Sequence, residues 1–391
     1  MQVILLLISA LFLFFYSLLL FYYRQGWMKL KSYEKSVSQK PLHTNISIII
    51  PARNEGKNIG ALIQSILNQS YPAHLFELII IDDHSSDNTV AIVKGFTSPV
   101  IKLISLENEL SGEKINAYKK KAIELGIASA KGDLILTTDA DCLVPTQWLE
   151  TIASFYETNR PTMIVMPVAI NYKYRFIEIF QALDFMTLQG ITGASVHKKF
   201  HSMCNGANLA YNKKTFREVN GFENIDHIAS GDDMLLMHKF IVYSPDRVLY
   251  LKSTDVIVKT KAIEDVRSFF YQRIRWASKA TVYNDKSLFP VLLLVYLFNL
   301  FLLGLIVAVF FENTLFPFAQ FHLTMAGWIG IILGSKTIVE LFFLYPVARF
   351  YKSISLLWFF PLMQPFHILY TIIAGWLGKF GRYKWKARIV H

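Results

Sequence analysis

The chain has 391 residues, of which 53% are apolar and 18% charged, so it allows one large domain or two ordinary ones and excludes a disordered chain. Its 40 Lys and Arg against 29 Asp and Glu leave a net charge of +11, which suits either nucleic acid or an anionic membrane face. Two cysteines exclude a disulfide scaffold and a four-thiolate zinc site, and we expect the working part to lie in the reducing cytosol.

An uncharged run from Val3 to Tyr23 stands at the start of the sequence, and it is long enough to span a hydrocarbon core of ~30 Å. A cleaved signal peptide would have a basic start and a shorter apolar stretch. We therefore predict a retained transmembrane helix over 1–24, with a buried core helix as the alternative. A basic linker over 25–44 marks its cytoplasmic end. The flanking basic residues are Arg24, Lys29 and Lys31.

Between residues 45 and 286 short β-branched runs alternate with amphipathic stretches. Near-continuous apolar runs predict strands that are buried on both faces, as in a parallel sheet covered by helices. Alternation of such strands with helices is typical of an α/β domain. The predicted strands are Ile46 to Ile50, Leu78 to Ile81 and Leu134 to Leu136, and the predicted helices include Asn58 to Gln69 and Ala117 to Ala130.

Hydrophobicity returns over 287–378, which we predict to be a second membrane region. Leu288 to Phe311 carries no charge and predicts one span. Phe321 to Tyr345 predicts another, although it contains Lys336 and Glu340 at helical i,i+4 spacing. We expect this pair to snorkel to the far interface rather than to sit at the bilayer centre.

The last apolar stretch, Ile354 to Leu377, contains Pro361 and Pro365, each of which removes a backbone donor and disfavours a straight helix. A full crossing would put the basic tail, 379–391, outside, against the tendency of basic residues to stay in the cytoplasm. We therefore expect a re-entrant or interfacial broken helix rather than a crossing.

Polar clusters follow the first two predicted strands. The first contains Pro51, Arg53 and Glu55, and the second contains Asp82 and Asp83. Ligands bind at the carboxyl ends of the strands in an open α/β sheet, and acidic groups there accept hydrogen bonds from nucleobases and ribose. Asp and Asn also simply make turns, which is the alternative for either cluster alone.

Asp139 and Asp141 follow the third strand, and side chains at i and i+2 of an extended segment project to the same side. Two carboxylates so placed repel each other unless a cation lies between them and a polyanion. Oxygen ligands of this kind suit Mg²⁺ or Mn²⁺, with phosphate oxygens completing the shell.

Two further clusters lie nearer the second membrane region. Cys204 and Gly206 belong to one run, and Asp232 and Asp233 follow it at a position where a helix N-cap is the alternative. The other is a basic and aromatic segment that suits phosphate binding and sugar stacking, although an interfacial amphipathic helix would look similar. Its members are Gln272, Arg273, Arg275 and Trp276.

In this order the five clusters resemble the inverting family-2 glycosyltransferases, over about Asn45 to Ala280. The Gln-x-x-Arg-Trp element is similar to that of the membrane-embedded branch, which includes cellulose, hyaluronan and poly-N-acetylglucosamine synthases and ceramide glucosyltransferase. The resemblance implies an α/β fold, a GT-A (Rossmann-like) glycosyltransferase domain flanked by transmembrane helices. It also implies a nucleotide-sugar donor, for which uridine is favoured by the resemblance alone, and Mg²⁺ or Mn²⁺ as the cofactor.

The resemblance also implies roles for individual residues. Asp233 would be the general base, with Asp232 beside it, and Asp141 is the better candidate for direct contact with the metal. We expect the acceptor to meet Trp276, Cys204 and Gly206. The expected donor-binding residues are Pro51, Arg53, Glu55, Asp82, Asp83, Lys114, Asp139, Gln272, Arg273 and Arg275.

We therefore expect a protein of the inner or cytoplasmic membrane whose catalytic domain, 45–286, faces the cytoplasm. Processive synthases thread their product through a channel lined by more helices than are predicted here, so we expect transfer of one sugar, or few, to a lipid-borne acceptor. A processive polysaccharide synthase, alone or with a partner subunit, is the main alternative. A non-enzymatic basic binder is a lesser one, and we expect no nucleic-acid partner, because such a binder gains nothing from these carboxylates.

Overall fold

The structure, a computed structural model of the chain, divides into two compact units. The sheet unit comprises 30–172, 195–262 and 390–391, and the helical unit comprises 1–29, 173–194 and 263–389. The residues that the structure describes are 2–35, 41–110, 115–278, 285–309, 315–318, 321–380, 383–385 and 388–390.

The strands of the sheet unit include the three that the apolar runs predict, and these are buried along most of their length. The strands are β1 (Ile46–Ala52), β2 (Phe76–Asp82), β3 (Ile101–Ser105), β4 (Leu134–Thr137), β5 (Met163–Val165), β6 (Val168–Asn171), β7 (Leu209–Asn212), β8 (Val248–Tyr250) and β9 (Val258–Lys261).

Seven of these strands form one sheet in the order β3-β2-β1-β4-β7-β5-β8. The strands β3, β2, β1 and β4 are parallel, and only β7 runs against its neighbours. A parallel pair of two strands, β6 and β9, lies apart from it. The register sets Ala52 opposite Asp82 and Ile49 opposite Thr137. The loops that follow β1, β2 and β4 therefore leave the sheet at the same edge, which confirms the parallel-dominated α/β fold expected from the sequence.

The helices of the sheet unit lie between these strands. Both predicted helices form, each slightly shorter than the pattern indicates. In α5 (Tyr118–Ser129), Gly126 comes so close to the sheet that an added Cβ would lie 2.6 Å from Cγ2 of Ile49. The helices are α2 (Ile59–Leu67), α3 (Thr89–Lys94), α4 (Leu106–Leu110), α5 (Tyr118–Ser129), α6 (Trp148–Asn159), α8 (Lys213–Glu218) and α9 (Asp232–Tyr243), with 3-10 turns at Ala73–Leu75, Pro245–Arg247 and Thr254–Val256.

The helical unit contains the long apolar helices. It comprises α1 (Gln2–Lys29), most of α7 (Phe176–Lys198), α10 (Val266–Ala277), α11 (Leu288–Val309), α12 (Met325–Phe350) and α13 (Phe360–Phe380), with a 3-10 helix at Ile354–Phe359 and the short strands β10 (Leu315–Phe318), β11 (Phe321–Thr324), β12 (Tyr383–Trp385) and β13 (Arg388–Val390). Within this unit α7 packs closely on α12. An added Cβ at Gly190 would lie only 2.6 Å from Cγ2 of Val347.

Within the described residues, four helices are long and apolar enough to cross a membrane. They are Val3–Lys29, Leu288–Val309, Met325–Phe350 and Ile354–Gly378. The first contains the predicted span Val3 to Tyr23, and the second covers the described part of Leu288 to Phe311. The third begins at Met325 rather than at the predicted Phe321, because Phe321–Thr324 forms β11. The fourth changes from 3-10 to α-helix at Phe360, so Pro361 lies in the first α-helical turn while Pro365 lies inside α13. The re-entrant path of this segment stays a prediction, as does the cytoplasmic tail.

The expectation that Lys336 and Glu340 snorkel to an interface is wrong. Both side chains are buried inside the helical unit, and Lys336 donates to Oε1 of Glu340 at 2.6 Å and to Oε1 of Gln364 at 2.7 Å. Tyr16 donates to the same Glu340 oxygen at 2.6 Å, and the amide of Gln364 donates to Oε2 at 2.5 Å. Polar partners from α1 and α13 thus satisfy the pair, and snorkelling is unnecessary.

Candidate active site

The loops that follow β1 and β2 are locked together by hydrogen bonds. The backbone N–H of Asn54 donates to Oγ of Ser85 at 2.9 Å, and Oδ1 of Asn54 accepts from the N–H of Ser86 at 2.8 Å. Asn54 and His84 both have left-handed backbones, with φ of 53° and 54°. Asn and His are among the residues that adopt the left-handed region most readily, and the hydrogen bonds between the two loops hold both residues in it.

Asp82 and Asp83 differ in their surroundings. Asp83 Oδ1 lies 2.9 Å from Nδ1 of His84 and 3.6 Å from Nη1 of Arg53, whose guanidinium also donates to the Asp83 carbonyl at 3.2 Å. Asp82 is 7% exposed, and none of the described residues hydrogen-bonds its Oδ1. A buried carboxylate oxygen without a partner is costly, so it marks a position where a ligand N–H or O–H can donate.

Lys119, on the first turn of α5, joins two of the predicted acids. Its ammonium lies 2.9 Å from Oδ1 of Asp139, in the loop after β4, and 3.2 Å from Oδ2 of Asp232, at the start of α9. Burial alone would lower the pKa of Lys119, but the carboxylates of Asp139 and Asp232 outweigh it and raise the pKa above its ordinary value. Lys119 is therefore a permanent cation.

Asp233 is held by backbone groups rather than by a cation. Its Oδ2 accepts from the N–H of Gly206 at 3.0 Å and its Oδ1 from the N–H of Met234 at 2.8 Å. An added Cβ at Gly206 would lie 3.4 Å from Oδ2 of Asp232 and 3.5 Å from Nζ of Lys119, so a larger side chain would crowd the acids. The structure thus brings four of the predicted site residues together, and they are Asp139, Gly206, Asp232 and Asp233.

Two buried or half-buried lysines hold the loop that precedes Asp232. Lys120, 2% exposed, donates to the carbonyls of Ile225 at 2.5 Å and Ile228 at 2.8 Å. Lys239, on α9, donates to the carbonyl of Gly221 at 2.7 Å. The start of α9, which carries the two acids, is therefore anchored through its preceding loop.

The carboxylates after β4 fit a metal only in part. No group of three or more His, Cys, Asp and Glu side chains within the described ranges could hold an ion by itself. Mg²⁺ is commonly bound through one or two carboxylates together with substrate phosphates, and Asp139 with Asp141 supplies such a set. Burial and the charges of Asp139 and Asp141 raise the pKa of Cys142, so this neighbouring thiol stays protonated.

Four other predicted residues belong to the helical unit, on α10. Arg273 is buried there, with Nη2 2.8 Å from Oδ2 of Asp184 on α7 and with its guanidinium 4.2 Å from the ring centroid of Trp276. Trp276 also packs against Phe185, with 6.3 Å between ring centroids. The remaining two, Gln272 and Arg275, are half-buried.

The predicted donor-binding residue Lys114 lies outside the described residues. Two functional candidates, Lys119 and Asp184, were not predicted from the sequence. Lys119 was missed because it is the first of three consecutive lysines in the first turn of α5. The sequence pattern does not show which of the three contacts Asp139. Asp184 was missed as a carboxylate in the middle of a largely apolar helix, although such a charge is a signal of a buried partner.

Comparison with known proteins gives matches over most of the chain. The sequence profile described as Glycosyl transferase family group 2 matches residues 134–378, more than half of the chain, and that of Glycosyl transferase family 2 matches residues 47–219. Glycosyltransferase AglE of Haloferax volcanii is 26% identical over 190 residues, which are 48% of this chain and 59% of that protein. A 4,4'-diaponeurosporenoate glycosyltransferase of Staphylococcus aureus is 28% identical over 151 residues, 38% of either chain. The chain thus spans less than two thirds of the length of these relatives.

Among solved structures, a mannosyltransferase of Pyrobaculum calidifontis, in complex with GDP-Man and Mn²⁺, resembles the whole chain. The TM-score is 0.55 at 14% identity, and the match covers 97% of this chain and 99% of that one. At this identity the likeness shows the fold, a GT-A-like α/β domain.

Replacing Lys119 by Met should lower the free energy of unfolding by about 1.5–3 kcal/mol, the scale for hydrogen bonds to charged groups. Because the pKa of Lys119 is raised on folding, its contribution is fully present below the ordinary lysine pKa of about 10.4 and is lost only as the pH rises through the folded value. The difference between wild type and variant should therefore stay constant from about pH 6 to 9, measured by denaturation of the solubilised chain.

Lys121→Met is the matched control, since Lys121 lies on the same helix and its Nζ is 3.9 Å from Glu124 with half of the side chain exposed. Its effect should stay within about 0.5 kcal/mol. A wild-type advantage over Lys119→Met that fades already between pH 6 and 9 would contradict the assigned charge state.

Proposed function

The chain belongs to glycosyl transferase family 2, and on that premise we propose that it moves a sugar from a nucleotide-diphosphate sugar to a hydroxyl of a lipid-type acceptor at the cytoplasmic leaflet, with inversion at the anomeric carbon. The observation that carries the proposal is the cluster in which the ammonium of Lys119 bridges Asp139 and Asp232, with Asp233 beside it. This cluster combines a permanent cation, for a diphosphate, with carboxylates that can accept a proton.

The loops after β1 and β2 supply groups for the nucleoside of the donor. Oδ1 of Asp82 is buried and accepts no hydrogen bond from the described residues, so a nucleobase N–H or a ribose hydroxyl could donate one to it. Arg53 is oriented by Asp83, and we assign Pro51 and Glu55 to the same pocket because they leave the sheet at the same edge. Uridine as the base rests on the family resemblance.

The departing nucleoside diphosphate gains negative charge as the bond to the sugar breaks, and stabilising that charge is the largest electrostatic requirement of the reaction. Lys119 is a fixed cation beside Asp139 and suits this task. Mg²⁺ or Mn²⁺ held by Asp141 and Asp139 would supply further positive charge to the diphosphate when bound. Gln272, Arg273 and Arg275 are proposed to contact the donor, since guanidinium groups match phosphate oxygens.

Asp233 is proposed as the general base. It takes the proton from the acceptor hydroxyl as that oxygen attacks the anomeric carbon, and the bond to the diphosphate breaks in the same displacement. The N–H of Gly206 orients the carboxylate of Asp233, while the carboxylate of Asp232 forms an ion pair with Lys119. A single displacement inverts the configuration and needs no covalent nucleophile. We assign Trp276, Cys204 and Gly206 to the acceptor.

A lipid-type acceptor is proposed because four helices, within the described residues, are long and apolar enough to cross a membrane. A polysaccharide channel of the kind found in the processive synthases that the chain resembles needs more helices than these. The relative from Staphylococcus aureus is named for transfer to 4,4'-diaponeurosporenoate, which is the kind of non-polysaccharide acceptor proposed here. A processive synthase acting with a partner subunit is the second candidate.

Incubating the purified chain with total bacterial lipid extract and, separately, UDP-glucose, UDP-N-acetylglucosamine or GDP-mannose tests the proposal. With Mn²⁺ or Mg²⁺ present, mass spectrometry should show a lipid heavier by one sugar, and excess chelator should abolish the product. A ladder of sugars would favour the processive alternative. Full activity in chelator would overturn the metal assignment alone.

Replacing Asp233 by Asn removes the proton acceptor but keeps the size and one hydrogen-bonding oxygen. Turnover should fall by ~10²–10⁴-fold, the range for a positioned acid–base group, while the affinity for the nucleotide changes little. Steady-state kinetics and nucleotide titration measure the two quantities. Asp226→Asn, on an exposed residue of the preceding loop, is the matched control. Loss of affinity with turnover of bound donor intact would mean that another carboxylate is the base.

A further inference from the structure

The guanidinium of Arg273 is fixed in the helical unit by contacts on its faces and along one edge. Its carbon lies 4.2 Å from the ring centroid of Trp276 and 5.0 Å from that of Phe269, and both rings belong to α10 itself. Only 3% of the Arg273 side chain is exposed. A guanidinium buried to this degree needs a counter-charge, because an unpaired buried charge is very costly.

Asp184 on α7 supplies that counter-charge. Its Oδ2 lies 2.8 Å from Nη2 of Arg273, and its side chain is itself only 6% exposed. The other oxygen, Oδ1, accepts a hydrogen bond from the hydroxyl of Tyr370 at 2.8 Å. The carboxylate is therefore held from two sides and cannot turn without losing one partner.

Tyr370 comes from α13, which is packed closely against α10. An added Cβ at Gly378 of α13 would lie 2.7 Å from Cβ of Ala277, at the last residue of α10. The ring of Tyr370 also contacts that of Phe269, with 5.6 Å between centroids. Three helices, α7, α10 and α13, thus contribute one residue each to a chain of contacts that ends at Arg273.

Arg273 has donors that this arrangement does not use. Among the described residues, no hydrogen-bond acceptor meets Nε or Nη1, although both atoms are buried, and Nη2 is engaged only through its ion pair with Asp184. Buried donors are almost always paired, and a guanidinium offers its donors in a rigid fork. Nε and Nη1 are therefore left for a group that is not part of the described chain.

We propose that Asp184 and Tyr370 are positioning residues, which hold Arg273 so that its Nε and Nη1 donors meet phosphate oxygens of the nucleotide-sugar donor. The proposal rests on the proposed function, in which Arg273 contacts the donor. Asp184 acts only through Arg273, and Tyr370 acts through Asp184. The position of α13, an apolar helix, thereby bears on donor binding.

A double-mutant cycle on the full-length solubilised chain tests this. The variants are Asp184→Asn, Arg273→Gln and the two combined, and the probe is whichever of UDP-glucose, UDP-N-acetylglucosamine and GDP-mannose the wild type turns over fastest. We expect Asp184→Asn to lower kcat/KM for the donor by roughly tenfold or more, which is within the energy of breaking a buried ion pair. The double variant should match Arg273→Gln alone, because Asp184 has no effect once its partner is gone.

Two further variants separate positioning from folding. Glu178→Gln is the matched control, since Glu178 is a buried carboxylate on the same helix, it pairs with Arg175 at 4.0 Å, and the proposal gives it no role in donor binding. Its kcat/KM should equal that of wild type. Tyr370→Phe removes a single hydroxyl and should lower kcat/KM by roughly threefold to tenfold without changing the melting temperature by more than Glu178→Gln does.

The outcomes separate the proposal from the function on which it rests. If the losses in Asp184→Asn and Arg273→Gln multiply in the double variant, Asp184 acts independently of Arg273 and the proposal is wrong while the proposed function stands. If Asp184→Asn lowers the melting temperature but keeps wild-type kcat/KM, its role is purely structural. If Arg273→Gln keeps wild-type kcat/KM, the donor contact assigned to Arg273 fails, and the positioning role fails with it.

Discussion

The ion pairs of Lys119 with Asp139 and Asp232 are the interaction on which the rest of the site depends. They join the loop after β4 to the start of α9, two segments that lie far apart in the sequence. Without a cation between them, two carboxylates in a partly buried site would repel, and the start of α9 would lose its direct tie to the loop after β4. Since Asp233 follows Asp232 directly, the same ion pair also sets where the proposed base lies. The lysine thus stabilises the fold of the site, and in the proposed mechanism its charge also faces the departing diphosphate.

In the helical unit, buried charge is balanced in the same way, pair by pair. Lys336 meets Glu340, and Arg273 meets Asp184. Both pairs take a neutral partner from α13, which is Gln364 in the first case and Tyr370 in the second. Breaking a buried pair by removing one member leaves an uncompensated charge, and the two polar contacts from α13 restrict its rotation about its own axis. A helix composed only of apolar residues would have no such preference in an apolar surrounding.

The sequence predicts the fold and the positions of the acids well, because both follow from local patterns. The buried runs at Ile46, Leu78 and Leu134 become parallel neighbours, and acids that follow them necessarily meet at one edge of the sheet. The cations were harder to predict. Lys114 was expected because the family resemblance implies a basic residue there, whereas the position of Lys119 follows from a tertiary contact, the packing of α5 on β1 at Gly126. Snorkelling of Lys336 was expected for the same reason, since its partners Tyr16 and Gln364 come from other helices.

The central claim is that one displacement, assisted by a carboxylate base next to the Lys119 cluster, transfers the sugar. The stereochemistry of the first product tests it most directly. Proton NMR of the glycoside formed by the wild-type chain should show the anomeric configuration opposite to that of the nucleotide sugar, from the earliest time at which the product is detectable. Retention of the donor's configuration is incompatible with a single displacement from the face opposite the diphosphate and would contradict the account.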